Sequence, residues 1–186
     1  MIIDNVPMGP NYRKVTLRNP GQTVNDFKPG SCAKVNGRWL AIAAVKDDVL
    51  TFLVGRDSFL LAEPIASIEA PVGQGFSCVE SKGLVTCLAG GTGLAAVISL
   101  VRERSAARRP VALRLLCRGA EYPDVVAAFP FLRGVDFGCW DTSFLGRPPL
   151  ERVVDQVTSR VAFAGPKELL EGFRSMSPQV PVDLNY

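Results

Sequence analysis

The chain has 186 residues, 47% hydrophobic and 21% charged, with a net charge of +3, which suits one globular domain or two small ones and gives no footing for nucleic acid or an acidic membrane surface. Histidine is absent, which excludes Ser-His and Cys-His nucleophile pairs and metal sites built on imidazole. The cysteines, Cys32, Cys78, Cys87, Cys117 and Cys139, form no C-x-x-C pair, so they read as reduced, buried thiols of a cytoplasmic protein, with no disulfide framework, iron–sulfur cluster or catalytic metal expected.

The N-terminal MIIDNVPMGP lacks the basic segment and apolar run of a secretory leader. Residues 1–80 read as β. YRKVTLR (12–18), CAKV (32–35), RWLAIAAVK (38–46), VLTFLV (49–54) and PIASIEA (64–70) are short alternating or apolar runs. Turn signals divide them at Asn19-Pro20-Gly21, Lys28-Pro29-Gly30, Asn36-Gly37 and Asp47-Asp48. Asn36-Gly37 suits a type I′ hairpin because both residues tolerate positive φ. Strands at this spacing predict a small antiparallel β-barrel.

Residues 81–186 alternate strand and helix, which predicts a parallel sheet with helices on both faces. GLVTCLA (83–89), VALRLLC (111–117), VDFGCW (135–140), RVAFA (160–164) and VPVDL (180–184) read as strands. Leu94 to about Arg108 reads as a helix with Leu94, Val97, Ile98 and Val101 on one apolar face. Further helices are expected at 122–129, 149–158 and 167–176. No charge falls between Lys82 and Arg102, a stretch of spanning length, but Gly90, Gly91 and Gly93 break it into strand, turn and helix, so no membrane span is expected.

Gly91-Thr92-Gly93-Leu94-Ala95-Ala96 fits G-x-G-x-x-A, with a strand before it and a helix after it. Backbone N–H groups at such a turn bind anions, and glycines let a phosphate reach them. The competing reading is a tight turn whose glycines serve only close packing. The next strand ends at Arg118, where dinucleotide folds often carry an acid for the ribose; an arginine leans toward a 2′-phosphate, and so to NADP(H) over NAD(H). Arg102, Arg104, Arg108, Arg109, Arg114 and Arg118 read as a solvated helix end or a basic patch for an acidic redox partner. Without interleaved aromatics they give no case for nucleic acid.

Four segments in order resemble the ferredoxin–NADP(H) reductase superfamily. Phe27-Lys28-Pro29-Gly30-Ser31 is similar to its F-x-P-G-Q stretch, and Ala70 to Phe76 (APVGQGF) to its G-P-x-G-x-F segment. Leu88 to Ala95 (LAGGTGLA) is close to its A-G-G-T-G-I-A-P loop, and Phe163-Ala164-Gly165-Pro166 to its C-G-P segment. The resemblance implies a pyrophosphate on Gly90, Gly91, Thr92, Gly93 and Leu94, a nicotinamide near Gly165 and Pro166, and FAD on the barrel. Its flavin motif R-x-Y-S falls on Arg38-Trp39-Leu40-Ala41. Arg38 would meet a flavin phosphate, Trp39 offers an aromatic face one residue from the missing tyrosine, and Tyr186 would cover the ring. Read without the resemblance, Trp39 is a barrel core residue and Tyr186 a chain end. The tyrosine and serine are replaced by Leu40 and Ala41, and the cysteine before Gly-Pro by Ala164.

The sequence therefore predicts a β-barrel over 1–80 and a parallel α/β nucleotide-binding domain over 81–186. Two functions follow. One is an oxidoreductase module that binds NADP(H) and a flavin and passes electrons to a protein partner. The other is a catalytically inactive, reductase-derived structural or interaction subunit without flavin. The glycine turn favours the first, Leu40 and Ala41 the second. Gly93→Asp is expected to block the turn with the fold intact.

Overall fold

A computed structural model describes residues 1–19, 26–143, 150, 153 and 160–184. The turn at Pro20-Gly21, most of the helix expected over 149–158, and Tyr186 lie outside the described residues. Strands β1 (Ile2–Met8), β2 (Tyr12–Arg18), β3 (Cys32–Val35), β4 (Arg38–Lys46), β5 (Val49–Gly55) and β6 (Ile68–Val72) form one antiparallel sheet in the order β1-β2-β5-β4-β3-β6. The sheet curls round Val15, Leu17, Ala33, Val35, Ile42, Leu50, Phe52, Val54 and Leu60. It is open: β1 and β6 are its edges, and no pairing between them closes a barrel among the described residues.

Asn36 (φ 47°) and Gly37 (φ 78°) take the left-handed conformations that their hairpin needs. The Asn36 side chain also accepts from the Ala66 and Ser67 amides and donates to the Pro64 carbonyl, tying residues 64–67 to this turn. β1 has no counterpart in the sequence reading. Only Met8 at its end is buried, so the strand carries no period-two signal. The expected 64–70 strand starts later, at Ile68, and a four-residue helix α1 (Phe59–Ala62), capped by Ser58, precedes it.

β4 fails to alternate because both of its faces are covered. A bulge lies between Ile42 and Ala44. Ile42 enters the β-half core, whereas Ala43, with Leu53 of β5, faces the helix of the second half.

The second sheet is parallel, in the order β11-β10-β7-β8-β9, from β7 (Val85–Gly90), β8 (Val111–Cys117), β9 (Asp136–Asp141), β10 (Arg160–Ala164) and β11 (Val182–Leu184). Helices α2 (Leu94–Ala106) and α3 (Tyr122–Ala128) pack on the face carrying Cys87, Ala89, Leu113 and Leu115. Helix α4 (Lys167–Met176) packs on the face carrying Leu88, Leu116, Val161 and Phe163. Glu121 and Asp124 open α3, with the Asp124 carboxylate accepting the Glu121 N–H at 3.0 Å.

Helix α2 is not amphipathic as expected. Every residue from Leu94 to Val101 is buried, because α2 lies between the parallel sheet and the outer face of β4 and β5. Ser99 fixes this contact: its hydroxyl accepts the Gly30 N–H at 3.2 Å and donates to Ala96 O.

The six arginines part on folding: Arg102, Arg108 and Arg118 stay exposed, whereas Arg104, Arg109 and Arg114 are engaged by the fold. Arg104 is 0% exposed and donates to the carbonyls of Cys78, Val79, Ser81, Gly83 and Pro110 at 2.7–3.3 Å. Burial pulls its pKa down. Arg109 pairs with Glu80, and Arg114 makes a bidentate pair with Asp136. All five cysteines are free thiols; Cys78, Cys87 and Cys117 are buried as expected, but Cys32 and Cys139 are half-exposed. No described helix is long and apolar enough to cross a membrane.

Candidate functional site

The strand order reverses between β7 and β10, and open parallel sheets bind ligands at the carboxyl ends of such a switch point. Gly90 closes β7, and Gly91–Gly93 make one 3-10 turn that runs into α2. The first amides of this turn have no intrahelical acceptor and point outward. Thr92 is exposed at its tip.

The glycines serve packing as well as access. A Cβ on Gly90 would lie 2.6 Å from Pro166 Cδ, and one on Gly165 would lie 2.9 Å from Gly90 N. One on Gly93 would overlap the Ala164 carbonyl oxygen. The Gly90–Gly93 turn and the Ala164-Gly165-Pro166 segment are thus in backbone contact. The expectation for Gly93→Asp is corrected by the same contact: that side chain would break the packing of the turn on β10.

Two crevices open from this junction and share Gly90 and Pro166. The larger, about 630 Å³, runs between β4–β5 and the junction. Trp39, Leu40 and Ala41 form one wall, Phe59 and Ser58 one end, and Thr92, Gly93 and Gly165 the other wall. Trp39 is 58% exposed, so it is not a core residue; the Lys34 ammonium sits 5.8 Å from its ring. Arg38 is turned aside from this space. Its guanidinium bonds Glu63 Oε1 at 3.0 Å and stacks 4.4 Å from the Phe59 ring centre. The volume lies in the range of ligand pockets, about 300–1,000 Å³. Leu40 and Ala41, where the resemblance expects a tyrosine and a serine, add no side-chain donor or acceptor; the polar side-chain groups of the cleft are the Ser58 and Thr92 hydroxyls and the Trp39 indole N–H.

The smaller crevice, about 260 Å³, lies over the ends of β7 and β8 and includes Tyr12, Gly91, Cys117, Arg118, Thr142 and Glu168. Arg118 is exposed there, and among the described residues its guanidinium has no ion-pair partner. Leu94 is fully buried, leaving only its backbone at the turn.

Sequence reading missed Tyr12. It begins β2, and its hydroxyl accepts the Arg118 N–H at 3.2 Å and lies beside Gly91. Burial pushes the phenol above its usual range, against the opposing pull of that N–H, so it stays protonated with its hydrogen free to donate. Its neighbours tie the β1–β2 hairpin to the β8–α3 turn. Asn11 Nδ2 donates to Arg118 O at 2.9 Å, and Lys14 Nζ to Ala128 O at 3.0 Å. Asp141 braces the same turn: Oδ1 accepts the Gly119 and Ser143 amides at 2.8 Å each and the Ser143 hydroxyl. These bonds, the Ser143 hydroxyl first, hold the Asp141 carboxyl below the usual range. Among the described residues no group of three or more Cys, Asp or Glu is placed to hold a metal ion.

The curled antiparallel sheet followed by a 3-2-1-4-5 parallel sheet is the fold of ferredoxin reductase-like FAD/NAD-binding domains. The FAD/NAD-binding domain of nitric oxide dioxygenase from Vibrio cholerae matches with a TM-score of 0.79 at 15% identity, over 99% of this chain and 95% of that one. An NADH-dependent reduced ferredoxin-NADP oxidoreductase matches with a TM-score of 0.79 at 17% identity, over 100% and 75%. An intact type IV self-sufficient cytochrome P450 monooxygenase matches with a TM-score of 0.78 at 15% identity; this chain is covered fully and spans only 27% of that one. No family model and no curated protein matches the sequence.

Proposed function

We propose that this chain is a reductase-type module that binds NADP(H), with residues 81–186 seating the nucleotide and residues 1–80 forming the opposite wall. The observation that carries this reading is the Gly90–Gly93 turn, set at the switch point, opening α2 and lining both crevices. The pyrophosphate rests on Gly91, Thr92 and Gly93. The adenosine end lies in the smaller crevice, where Arg118 meets a 2′-phosphate and the Tyr12 hydroxyl donates to a phosphate oxygen. The nicotinamide end enters the larger crevice beside Gly165 and Pro166. When bound, the nucleotide supplies hydride chemistry; the chain's own residues bind, orient and exclude water. The similar NADH-dependent reduced ferredoxin-NADP oxidoreductase supports a protein electron carrier as partner. We place the module in the cytoplasm.

Arg38 favours a second reading, an inactive structural subunit without flavin. The residue that would meet a flavin phosphate is held by Glu63 and Phe59, and Leu40 and Ala41 remove the polar groups.

Thr92→Glu tests the first reading, because an acid in the first turn of a helix repels a bound anion without opposing the fold. Titrated with NADPH and NADH, the wild type is expected to prefer NADPH, and the variant to bind at least about tenfold more weakly at an unchanged melting temperature. Equal affinity in the two proteins removes the pyrophosphate assignment. Adding FAD to the same sample and removing the excess decides the second reading: a retained visible spectrum that bleaches with NADPH overturns it, and a colourless protein supports it.

A further inference from the structure

We propose that Cys117 and Cys139 are a redox-active dithiol that closes to a disulfide and so controls the turn beside the smaller crevice. The control, though not the disulfide, rests on the nucleotide reading above.

Cys117 is the last residue of β8, and Cys139 lies on the neighbouring strand β9. The register sets Leu115 against Cys139 and Cys117 against Asp141, so the two cysteines are diagonal neighbours on one face of the sheet. Their sulfurs are 3.8 Å apart and converge on one carbonyl: Cys117 Sγ donates to Ala120 O at 3.0 Å, and Cys139 Sγ lies 3.8 Å from the same oxygen. A disulfide bond is about 2.05 Å long, so the sulfurs must close by roughly 1.8 Å. Diagonal neighbours on adjacent strands have Cα atoms about 7–8 Å apart, beyond the usual disulfide span, so closure also needs a shift of β9, which among the described residues is the edge strand and pairs with β8 alone. Cys117 lines the smaller crevice and Cys139 is half-exposed, so a small reagent has a route to the pair.

The other buried thiols are inert by comparison. Burial pushes Cys78 up to about 12, and Cys87 higher still. Within the pair, the hydrogen bond between the sulfurs pulls Cys117 down and pushes Cys139 up, so Cys117 loses its proton first.

The oxidant is a small-molecule disulfide, RSSR. The Cys117 thiolate attacks one of its sulfurs, forming a mixed disulfide and expelling RS⁻, which takes the proton that Cys117 lost. Cys139 then loses its proton and attacks Cys117 Sγ, expelling the second RS⁻, which takes that proton. Two thiols of the chain are oxidised, and RSSR is reduced to two RSH. The product has no S–H left to donate to Ala120 O. Ala120 is fully buried at the end of the turn that carries Arg118 and Gly119, so this turn must rearrange.

The test incubates the folded Cys32→Ser protein, which lacks the half-exposed thiol outside the pair, with excess oxidised glutathione, then measures intact mass and free thiols. It is expected to lose only the mass of two thiol hydrogens and to fall from four free thiols to two. With Cys139→Ser added, it is expected to keep a glutathione adduct on Cys117, because no resolving thiol remains. Four free thiols in the treated Cys32→Ser protein, or a stable adduct in both proteins, overturns the disulfide. NADPH affinity is then compared in the reduced and oxidised Cys32→Ser protein. A several-fold loss on oxidation supports the control, and equal measurable affinities overturn it. Reduced protein that binds no NADPH removes both the nucleotide reading and the control that rests on it, and leaves the disulfide to stand or fall on the mass result.

Discussion

Arg104 shows what a single side chain does in this fold. Its buried guanidinium donates to five backbone carbonyls, those of Cys78, Val79, Ser81, Gly83 and Pro110, and so ties α2 to residues 78–83. Leaving buried acceptors without their donor costs about 1–3 kcal/mol. Arg104→Met is therefore expected to lower the unfolding free energy, taken from the urea midpoint and slope, by an amount in that range, whereas the exposed Arg102→Met leaves it nearly unchanged; equal free energies for the two variants would remove the structural role. The sequence held the clue. Position 104 is seven residues after Val97 and three after Val101, on the stripe that carries the apolar series. Treating the arginines as one helix end overlooked that stripe. Tyr12 gave no such clue, since the Arg118 amide that it meets is 106 positions away.

Among the elements, the β8–α3 turn is held by partners distant in sequence. Asp141 from the end of β9, Asn11 and Tyr12 from the β1–β2 hairpin, and Thr142 all hold it. The Asp141 carboxyl is depressed in the fold relative to the unfolded chain. Between the two values the folded state binds fewer protons than the unfolded state, so stability rises with pH there. The contribution is complete above the unfolded value, near pH 4, and is lost as pH falls through the folded value. Urea midpoints of wild type and Asp141→Ala are expected to differ at pH 7 and to converge on acidification; a constant gap would refute this origin. The elements themselves were largely legible. Residues 111–117 and 160–164 are legible to the residue as nearly continuous apolar runs of strands buried on both faces, and 167–176 by its helical period. The β1 strand was not legible, since it exposes most of its residues, nor was the exposure of Trp39, since a β4 covered on both faces hides which side chain faces the cleft.

At the scale of the whole molecule, α2 decides how the chain unfolds. Its eight leading residues are buried by both halves at once, and fully burying a Leu, Ile or Val side chain contributes about 1.5–3 kcal/mol. Neither half keeps its surface if the other opens. The two tryptophans, Trp39 and Trp140, report one half each. The Trp39→Phe and Trp140→Phe variants are expected to give coincident unfolding curves by fluorescence; separated curves would mean that the halves unfold independently. The glycine turn and its Ala164-Gly165-Pro166 neighbour were both found in the sequence, but not their backbone contact. That contact makes the two crevices one mechanical device. Gly90 and Pro166 belong to both, and Gly93 rests on Ala164 without a side chain between them. A molecule that draws the turn toward the smaller crevice moves the wall of the larger. A coupling carried by this contact would be reciprocal: a ligand in the larger crevice would alter the affinity of the smaller by the factor that it suffers in return.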